Sequence, residues 1–478
     1  MDMIGLLCGA ALMLLALLDA ARRLDLTRWW LLGPLLLAGP HVTAWGVLIF
    51  SSREALPLKV LAALLTFGGL FYAYVRVMLF PVRRYDCENP RIKILWSGRA
   101  VLRAGMWALV LQSILYLLVL LAAPEICASF AGWAVADGIV TAVLVGSMIL
   151  LGSVCVLCTC RRLGLLRRLL VFLNFWIPLV NIFLMRYLCR AARDEYDHEC
   201  YKVAAQAQRA ESMACATRYP LIMVHGVGFR DLRYFNYWGR IPRALQRNGA
   251  VVYYGHQEAW GSIEENAQAI REKIQEVLEE QSCGKVNIIA HSKGGLDSRY
   301  LITVLGMGDK VASLTTISTP HRGSQLLYVI DRLPRWAYDR ITSMINTAFR
   351  KVGDKNPDSG AAARQLSPAY AAAFNQDVPD DPRVYYQSYT SVMKNMFSNW
   401  ILGIPYAILK RASGGQPNDG LVCVESAKWG DFQGVFANKY RRGIAHGDII
   451  DLQREDYKGF DVTEAYIGIV AGLKEKGF

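Results

Sequence analysis

Six apolar stretches occupy the first 190 residues, at about 3–20, 29–50, 58–80, 104–123, 132–158 and 169–188. Each approaches or exceeds the ~20 residues that carry a helix across a hydrocarbon core. Buried helices of a water-soluble domain would keep a polar face at helical spacing, and none recurs here. The first stretch lacks the basic start of a cleaved leader and runs on into further spans. Residues 1–188 are therefore expected to form an all-α bundle that crosses a membrane several times. After about residue 190 the pattern becomes that of an ordinary globular domain. The whole-chain composition, 53% hydrophobic and 19% charged, averages these two populations.

Basic residues sort the loops of the first part. Arg22, Arg23 and Arg28 follow the first stretch, Arg83, Arg84, Arg91, Lys93, Arg99 and Arg103 the third, and Arg161, Arg162, Arg167 and Arg168 the fifth. The intervening loops carry only Arg53 and Lys59, then no basic residue between Pro124 and Gly132. Positive loops stay in the cytoplasm. A six-span multi-pass protein of the cell membrane then has both termini, and the globular part, on the outer side. Arg186, Arg190 and Arg193 run against this pattern, and Asn174, Pro178 and Asn181 interrupt the sixth stretch. Asp137 is the single acidic residue well inside a span and falls near its outer end, which favours an anchor over a conduction path.

The net charge is +13, with 19 Lys and Arg against 12 Asp and Glu in the first 200 residues. Much of the excess thus belongs to membrane topology, and no nucleic-acid-binding motif accompanies it. Cys155, Cys158 and Cys160 lie at the end of an apolar run with no second pair to complete a tetrahedral metal site. They are read as small apolar residues of a helix.

Residues 189–218 form a charged, alanine-rich connector, and 219–478 a separate domain. Pro220–Gly226 reads as a buried strand, Trp238–Arg247 as a helix stopped near Gly249, and Val251–Gly255 as a strand. Ile263, Ala267, Ile270, Ile274, Val277 and Leu278 mark one face of a long helix. A strand at Val286–Ala290, a helix from Gly294 and a strand at Val311–Thr319 follow. Strands alternating with helices predict a doubly wound, mostly parallel α/β sheet.

At the third strand stands Ala290-His-Ser-Lys-Gly-Gly295. Strand, sharp turn and helix would expose the Ser292 hydroxyl at the sheet's carboxyl edge, with the small Ala290 and Gly294 allowing close backbone approach. A serine nucleophile needs a base, and the base an orienting acid. His321 and His446 are the histidines that follow Ser292. His321 comes too soon after a strand to leave room for an acid, so His446 is the expected base and His321 a loop-shaping residue. Asp419, on the turn Pro417-Asn-Asp-Gly420, is the expected acid; Asp377, Asp380 and Asp381, in a Pro-rich setting, are its rivals. The backbone N–H groups of Lys293 and Val227, the latter within His225-Gly-Val-Gly228, would form the oxyanion hole.

His225-Gly226, Ala290–Gly295, Thr319-Pro-His-Arg-Gly-Ser324, Asn418-Asp-Gly-Leu-Val422 and His446-Gly-Asp448 together resemble the successive motifs of bacterial triacylglycerol lipases of the α/β-hydrolase superfamily. The resemblance covers about residues 219–470. It implies Ser292, Asp419 and His446 as the triad, Val227 and Lys293 as oxyanion donors, and an ester or lipid substrate with no required cofactor. Secreted family members lack a membrane bundle, so their behaviour as free enzymes does not carry over. Many bind a structural calcium beside the catalytic histidine. Asp448 matches one calcium aspartate without a second ligand in view; otherwise it is a solvent-facing residue. The expected function is a membrane-anchored serine lipase or esterase working through an acyl-enzyme. A lipid acyltransferase or phospholipase would carry the same triad, and a non-catalytic membrane protein could use the same scaffold.

Two insertions, Ser324–Leu366 and Met396–Leu409, are rich in large apolar residues. They are expected either to add core or to form a lid and acyl-chain wall facing the bilayer.

Overall fold

The computed structural model describes residues 36–478 apart from 38, 80–81, 83–84, 123–130, 178, 211–212, 229–236, 331–333, 356 and 458. The first apolar stretch and the start of the second lie outside the described residues. The chain divides into two compact units, Met1–Ala205 and Gln206–Phe478.

The first unit contains helices α1 (Val42–Ser51), α2 (Leu56–Leu79), α3 (Pro90–Ala122), α4 (Ala131–Thr159) and α5 (Leu165–Asn174), followed by α6 (Val180–Ala210), which runs on into the second unit. Among the described residues, α2, α3 and α4 are long and apolar enough to cross a membrane. α3 and α4 pack through glycines. A Cβ on Gly152 would lie 2.8 Å from the Gly98 carbonyl oxygen, and one on Gly105 2.9 Å from Ile149 Cγ1. Small residues at such a seam let backbones approach where no hydrophobic effect drives helices together. Large side chains such as Leu64, Phe71, Leu117 and Val143 point outward. Asp137 is buried: its carboxylate takes His41 Nδ1 at 2.6 Å, the Tyr116 hydroxyl at 2.9 Å and the Thr43 hydroxyl. It ties α1 and α3 to α4.

The sixth apolar stretch does not form one helix. α5 stops at Asn174, the chain turns with Leu179 in the left-handed region (φ 66°), and α6 starts at Val180. Ten residues of α5 reach only ~15 Å, too short to cross. α6 then lies along the basic ends of α3 and α4. Arg99 Nε donates to the Cys189 carbonyl at 3.1 Å, Tyr196 stacks on Trp96 at 4.1 Å, Arg91 pairs with Glu195 and Glu199, and the Arg162 N–H reaches Glu195 at 3.0 Å. The chain therefore leaves this unit at its arginine-rich end.

The second unit is built on six parallel strands in the order β2-β1-β3-β4-β5-β6. β1 (Leu221–Val224) is followed by α7 (Ile241–Arg247), β2 (Val252–Tyr254), α8 (Ile263–Glu280), β3 (Val286–His291), α9 (Gly294–Thr303) and β4 (Val311–Ile317). A helical insertion follows: α10 (Leu326–Ile330), α11 (Arg335–Val352), α12 (Ser359–Arg364) and α13 (Pro368–Asp377). The chain closes with β5 (Tyr385–Ser391), α14 (Gly403–Ala412), α15 (Val424–Ala427), β6 (Asp431–Phe436) and α16 (Val462–Glu475).

The period of two sorts β1 between two cores. Leu221 and Met223 join Ile241 and Leu245 of α7 and Tyr466 and Val470 of α16; Ile222 and Val224 join Ile270 and Ile274 of α8 and Leu301 of α9. Helices thus cover both faces, as a sheet of buried parallel strands requires. α8 starts where Ser262 and Glu265 form a reciprocal capping box. β5 and β6 extend the sheet beyond the strands read from sequence, and they carry the loops that bring in the acid and the histidine.

Candidate active site

β3 ends at His291 and α9 begins at Gly294, leaving Ser292 and Lys293 to make the turn. Ser292 has φ 55°, a left-handed conformation that costs a side-chain-bearing residue energy. The turn persists because the backbones around it nearly touch. A Cβ on Gly294 would strike the His225 carbonyl oxygen, and one on Gly226 would lie 2.8 Å from Ser292 Cβ. The Ser292 N–H is held by the Ile317 carbonyl at 3.0 Å. This is the strained strand–turn–helix that the motif predicts, at the carboxyl edge of the sheet where open α/β folds place their sites.

Asp419 and His446 come together. Asp419 is fully buried. Its Oδ1 accepts the N–H groups of Leu421 (3.0 Å) and Val422 (2.9 Å), while Oδ2 lies 2.8 Å from His446 Nδ1. The His446 N–H also reaches the Asp419 carbonyl at 2.9 Å. Positive φ at Gly420 (106°) closes the turn. Both side chain and backbone of the acid thus fix the histidine. The His446 ring lies 4.4 Å from the ring of His291, the residue before Ser292. Asp377, Asp380 and Asp381 stand elsewhere: Asp380 accepts from Trp429 Nε1 at 3.0 Å, Asp381 pairs with Arg383, and Asp377 is exposed. His321 is buried against Trp429, ring centroids 4.9 Å apart, with Nε2 3.1 Å from Thr316 Oγ1.

The Val227 and Lys293 N–H groups donate to no protein acceptor among the described residues. Gly228, at φ 85°, sends its own N–H to the Ala259 carbonyl at 3.0 Å and turns the loop after β1. Two backbone donors beside a serine, with an acid–histidine pair adjacent, can support acyl-group chemistry at a carbonyl.

Two contacts were not read from sequence. The Tyr237 hydroxyl lies 2.6 Å from His291 Nδ1, and a Cβ on Gly226 would come within 2.9 Å of it. Lys293 Nζ and Asp297 Oδ1 form a buried pair at 2.6 Å; burial pushes the Asp297 carboxyl up, and Lys293 opposes that. The i, i+4 spacing of Lys293 and Asp297 was available as a signal. Tyr237 had none, because its partner is 54 residues away.

Asp448 is neither solvent-facing nor free for a metal. It is 0% exposed, accepts Arg442 Nη2 at 3.0 and 3.1 Å, and takes the Ala445 N–H at 2.9 Å. Among the described residues no group of three or more His, Cys, Asp or Glu could hold an ion. A calcium ion beside His446 does not fit these residues: the carboxylate is already neutralised by a guanidinium.

A parallel sheet covered by helices on both faces, with a serine on the turn after its central strand, defines an α/β-hydrolase. Residues 188–367 match a family described as a domain of unknown function, DUF7379. The chain is 33% identical over 269 residues to triacylglycerol lipase 2 of Saccharomyces cerevisiae, covering 52% of this chain and 77% of that protein. It is also 33% identical over 189 residues to a triacylglycerol lipase of Burkholderia plantarii, covering 37% of this chain and 52% of that one. The bacterial relative is thus spanned over about half its length. The mature lipase BlEst2 of Bacillus licheniformis is similar at 19% identity and TM-score 0.39, over 53% of this chain and 92% of that structure. This chain belongs to the triacylglycerol lipase family, and it is a carboxylic-ester hydrolase.

Proposed function

We propose that this protein is a membrane-anchored serine lipase that hydrolyses lipid carboxylic esters through an acyl-enzyme. Residues 1–188 would be its membrane region, 189–218 the connector and 219–478 the catalytic domain. The observation that carries the reading is the Asp419–His446 hydrogen bond beside the strained Ser292 turn. His446 takes the Ser292 proton as the oxygen attacks the ester carbonyl, and Asp419 stabilises the imidazolium. The N–H groups of Val227 and Lys293 meet the negative charge that develops on the carbonyl oxygen. His446 returns the proton to the departing alcohol, then activates the water that releases the acid. No redox or nucleotide cofactor enters this chemistry. The family relation supports a glyceride or similar lipid ester as substrate.

The insertion between β4 and β5 supports a roof over the acyl chain. Phe349 of α11 meets Trp260 edge-on at 5.9 Å, and Trp260 lies beside Gly228 of the oxyanion loop. Trp336, Ile341 and Met344 of the same helix face outward. Loop charges alone favour an outer location for the catalytic domain, whereas the exit of α6 along the basic ends of α3 and α4 supports the cytoplasmic side.

An ester panel on the detergent-solubilised full chain tests the reading. Ser292→Ala and His446→Ala should each lose about 10⁴-fold or more in kcat, while His321→Ala keeps substantial turnover. If His321→Ala fell as far as His446→Ala with unchanged folding, the assignment of the base would be wrong. Transfer of the acyl group to an added alcohol in preference to water would make the enzyme an acyltransferase.

A further inference from the structure

Between β5 and Asp419 the chain makes an excursion whose most hydrophobic side chains point into solvent. Phe397 is 87% exposed and Trp400 67%, with Ile401 and Ile404 also exposed. The excursion is held in shape from within. Asn395 Oδ1 accepts the Phe397 N–H at 2.9 Å, and Asn399 Oδ1 accepts those of Ile401 (2.9 Å) and Leu402 (3.2 Å). Gly403 is pressed so close to the Met396 carbonyl that a Cβ there would collide. Its apolar tips are therefore fixed outward, where water is the worst solvent for them.

Beside the tips lies an open groove of about 560 Å³, lined by Lys394, Met396, Tyr406, Lys410 and Arg411 among others. Residues 392–416 contain these three cations and no Asp or Glu. No carboxylate pairs with any of the three among the described residues; Lys410 Nζ meets Tyr406, its hydroxyl at 3.4 Å and its ring at 5.6 Å.

We propose that this face docks on a bilayer containing anionic phospholipid. Lys394, Lys410 and Arg411 hold a lipid phosphate in the groove, and Phe397, Trp400, Ile401 and Ile404 enter the interfacial layer. Aromatic and aliphatic tips beside unpaired cations are what an anionic lipid surface recognises. A second copy of the chain fits poorly, because a two-fold contact across this face would set cations against cations.

The excursion is also tied to the loop bearing His446. The Ile444 N–H donates to the Val392 carbonyl at 2.7 Å, and Asn395 Nδ2 to the Arg441 carbonyl at 2.8 Å. Docking thus seats the histidine loop at the lipid surface. It requires no turnover, so it stands or falls separately from the lipase reading.

The test uses the full chain in nanodiscs, with native cysteines replaced and a spin label on Phe397→Cys. In discs of phosphatidylcholine mixed with phosphatidylglycerol, the label should gain oxygen accessibility and lose accessibility to a water-soluble nickel chelate. Discs of phosphatidylcholine alone should give clearly less immersion. Each cation near an anionic surface contributes about fivefold. Combining Lys394→Gln, Lys410→Gln and Arg411→Gln should therefore lower the docked-to-free ratio about a hundredfold at unchanged melting temperature. Equal water exposure in both lipid mixtures would overturn the proposal, and that comparison needs no variant beyond the labelled chain. So would a neutralised chain that docks like its parent.

Discussion

Ser292 carries strain that its neighbours enforce, and the enforcement is itself testable. Gly226 leaves no room for a methyl group between Ser292 Cβ and the Tyr237 hydroxyl. Gly226→Ala should cut kcat/KM by about 10² or more, the size of an oxyanion-donor loss, while the overpacked site lowers the melting temperature by a few degrees. Turnover near the parent level would show that the loop after β1 does not shape the site. A second residue prediction concerns pH. Burial holds His321 well below the usual histidine range, and Arg299 and Arg322 add repulsion. The unfolded chain takes up a proton near pH 6.5 that folded His321 refuses, so stability falls as pH drops below about 6.5. His321→Gln should be less stable at pH 8 yet lose less on going to pH 5.5, by up to about 1.4 kcal/mol per pH unit in that window. Parallel melting curves for the two proteins across that range would contradict it. Ser292, Asp419 and His446 were legible because each sits in a short motif with its own turn chemistry. Asp448 was not. Both sequence-based options, calcium ligand or surface residue, missed the guanidinium of Arg442 that folds back onto it.

At the scale of elements, β1, β3 and β4 were legible as apolar runs buried on both faces. β5 reads YYQSYTS and β6 DFQGVF, and neither announces itself. β5 hides because its buried polar atoms are answered across the sheet: Gln387 donates to Thr315 Oγ1 at 2.8 Å and Ser388 to the Trp429 carbonyl at 2.6 Å. β6 is an edge strand with a register shift against β5 and an open face, so its alternation is weak. α11 is amphipathic, and its outward Trp336 is 73% exposed. If α11 roofs the acyl chain and meets lipid, Trp336→Ser should lower kcat/KM for long-chain esters several-fold and leave acetyl esters near the parent rate. Equal effects across chain lengths would reduce α11 to added core. The break between α5 and α6 was foreshadowed by Asn174, Pro178 and Asn181. Apolar composition alone could not show where α6 packs, because that depends on Arg91, Arg99 and Arg162 meeting it.

For the molecule as a whole, the helical unit and the hydrolase unit have separate cores. On the proposed reading, the positive ends of α3 and α4, with α6 alongside them, favour the cytoplasmic face for the hydrolase. Glu475, exposed near the carboxyl terminus, gives a probe position. In a background without native cysteines, Glu475→Cys should react with a membrane-impermeant maleimide only after permeabilisation. Labelling in intact cells would place catalysis outside and restore a sixth span, with the chemistry unaffected. That chemistry is the central claim: a serine made nucleophilic by His446 and Asp419. Mass spectrometry of the full chain after treatment with a fluorophosphonate measures it directly. The adduct should map to Ser292, be absent from Ser292→Ala and form at least a hundredfold more slowly in His446→Ala. An adduct on another residue, or equal labelling of Ser292→Ala, would contradict it.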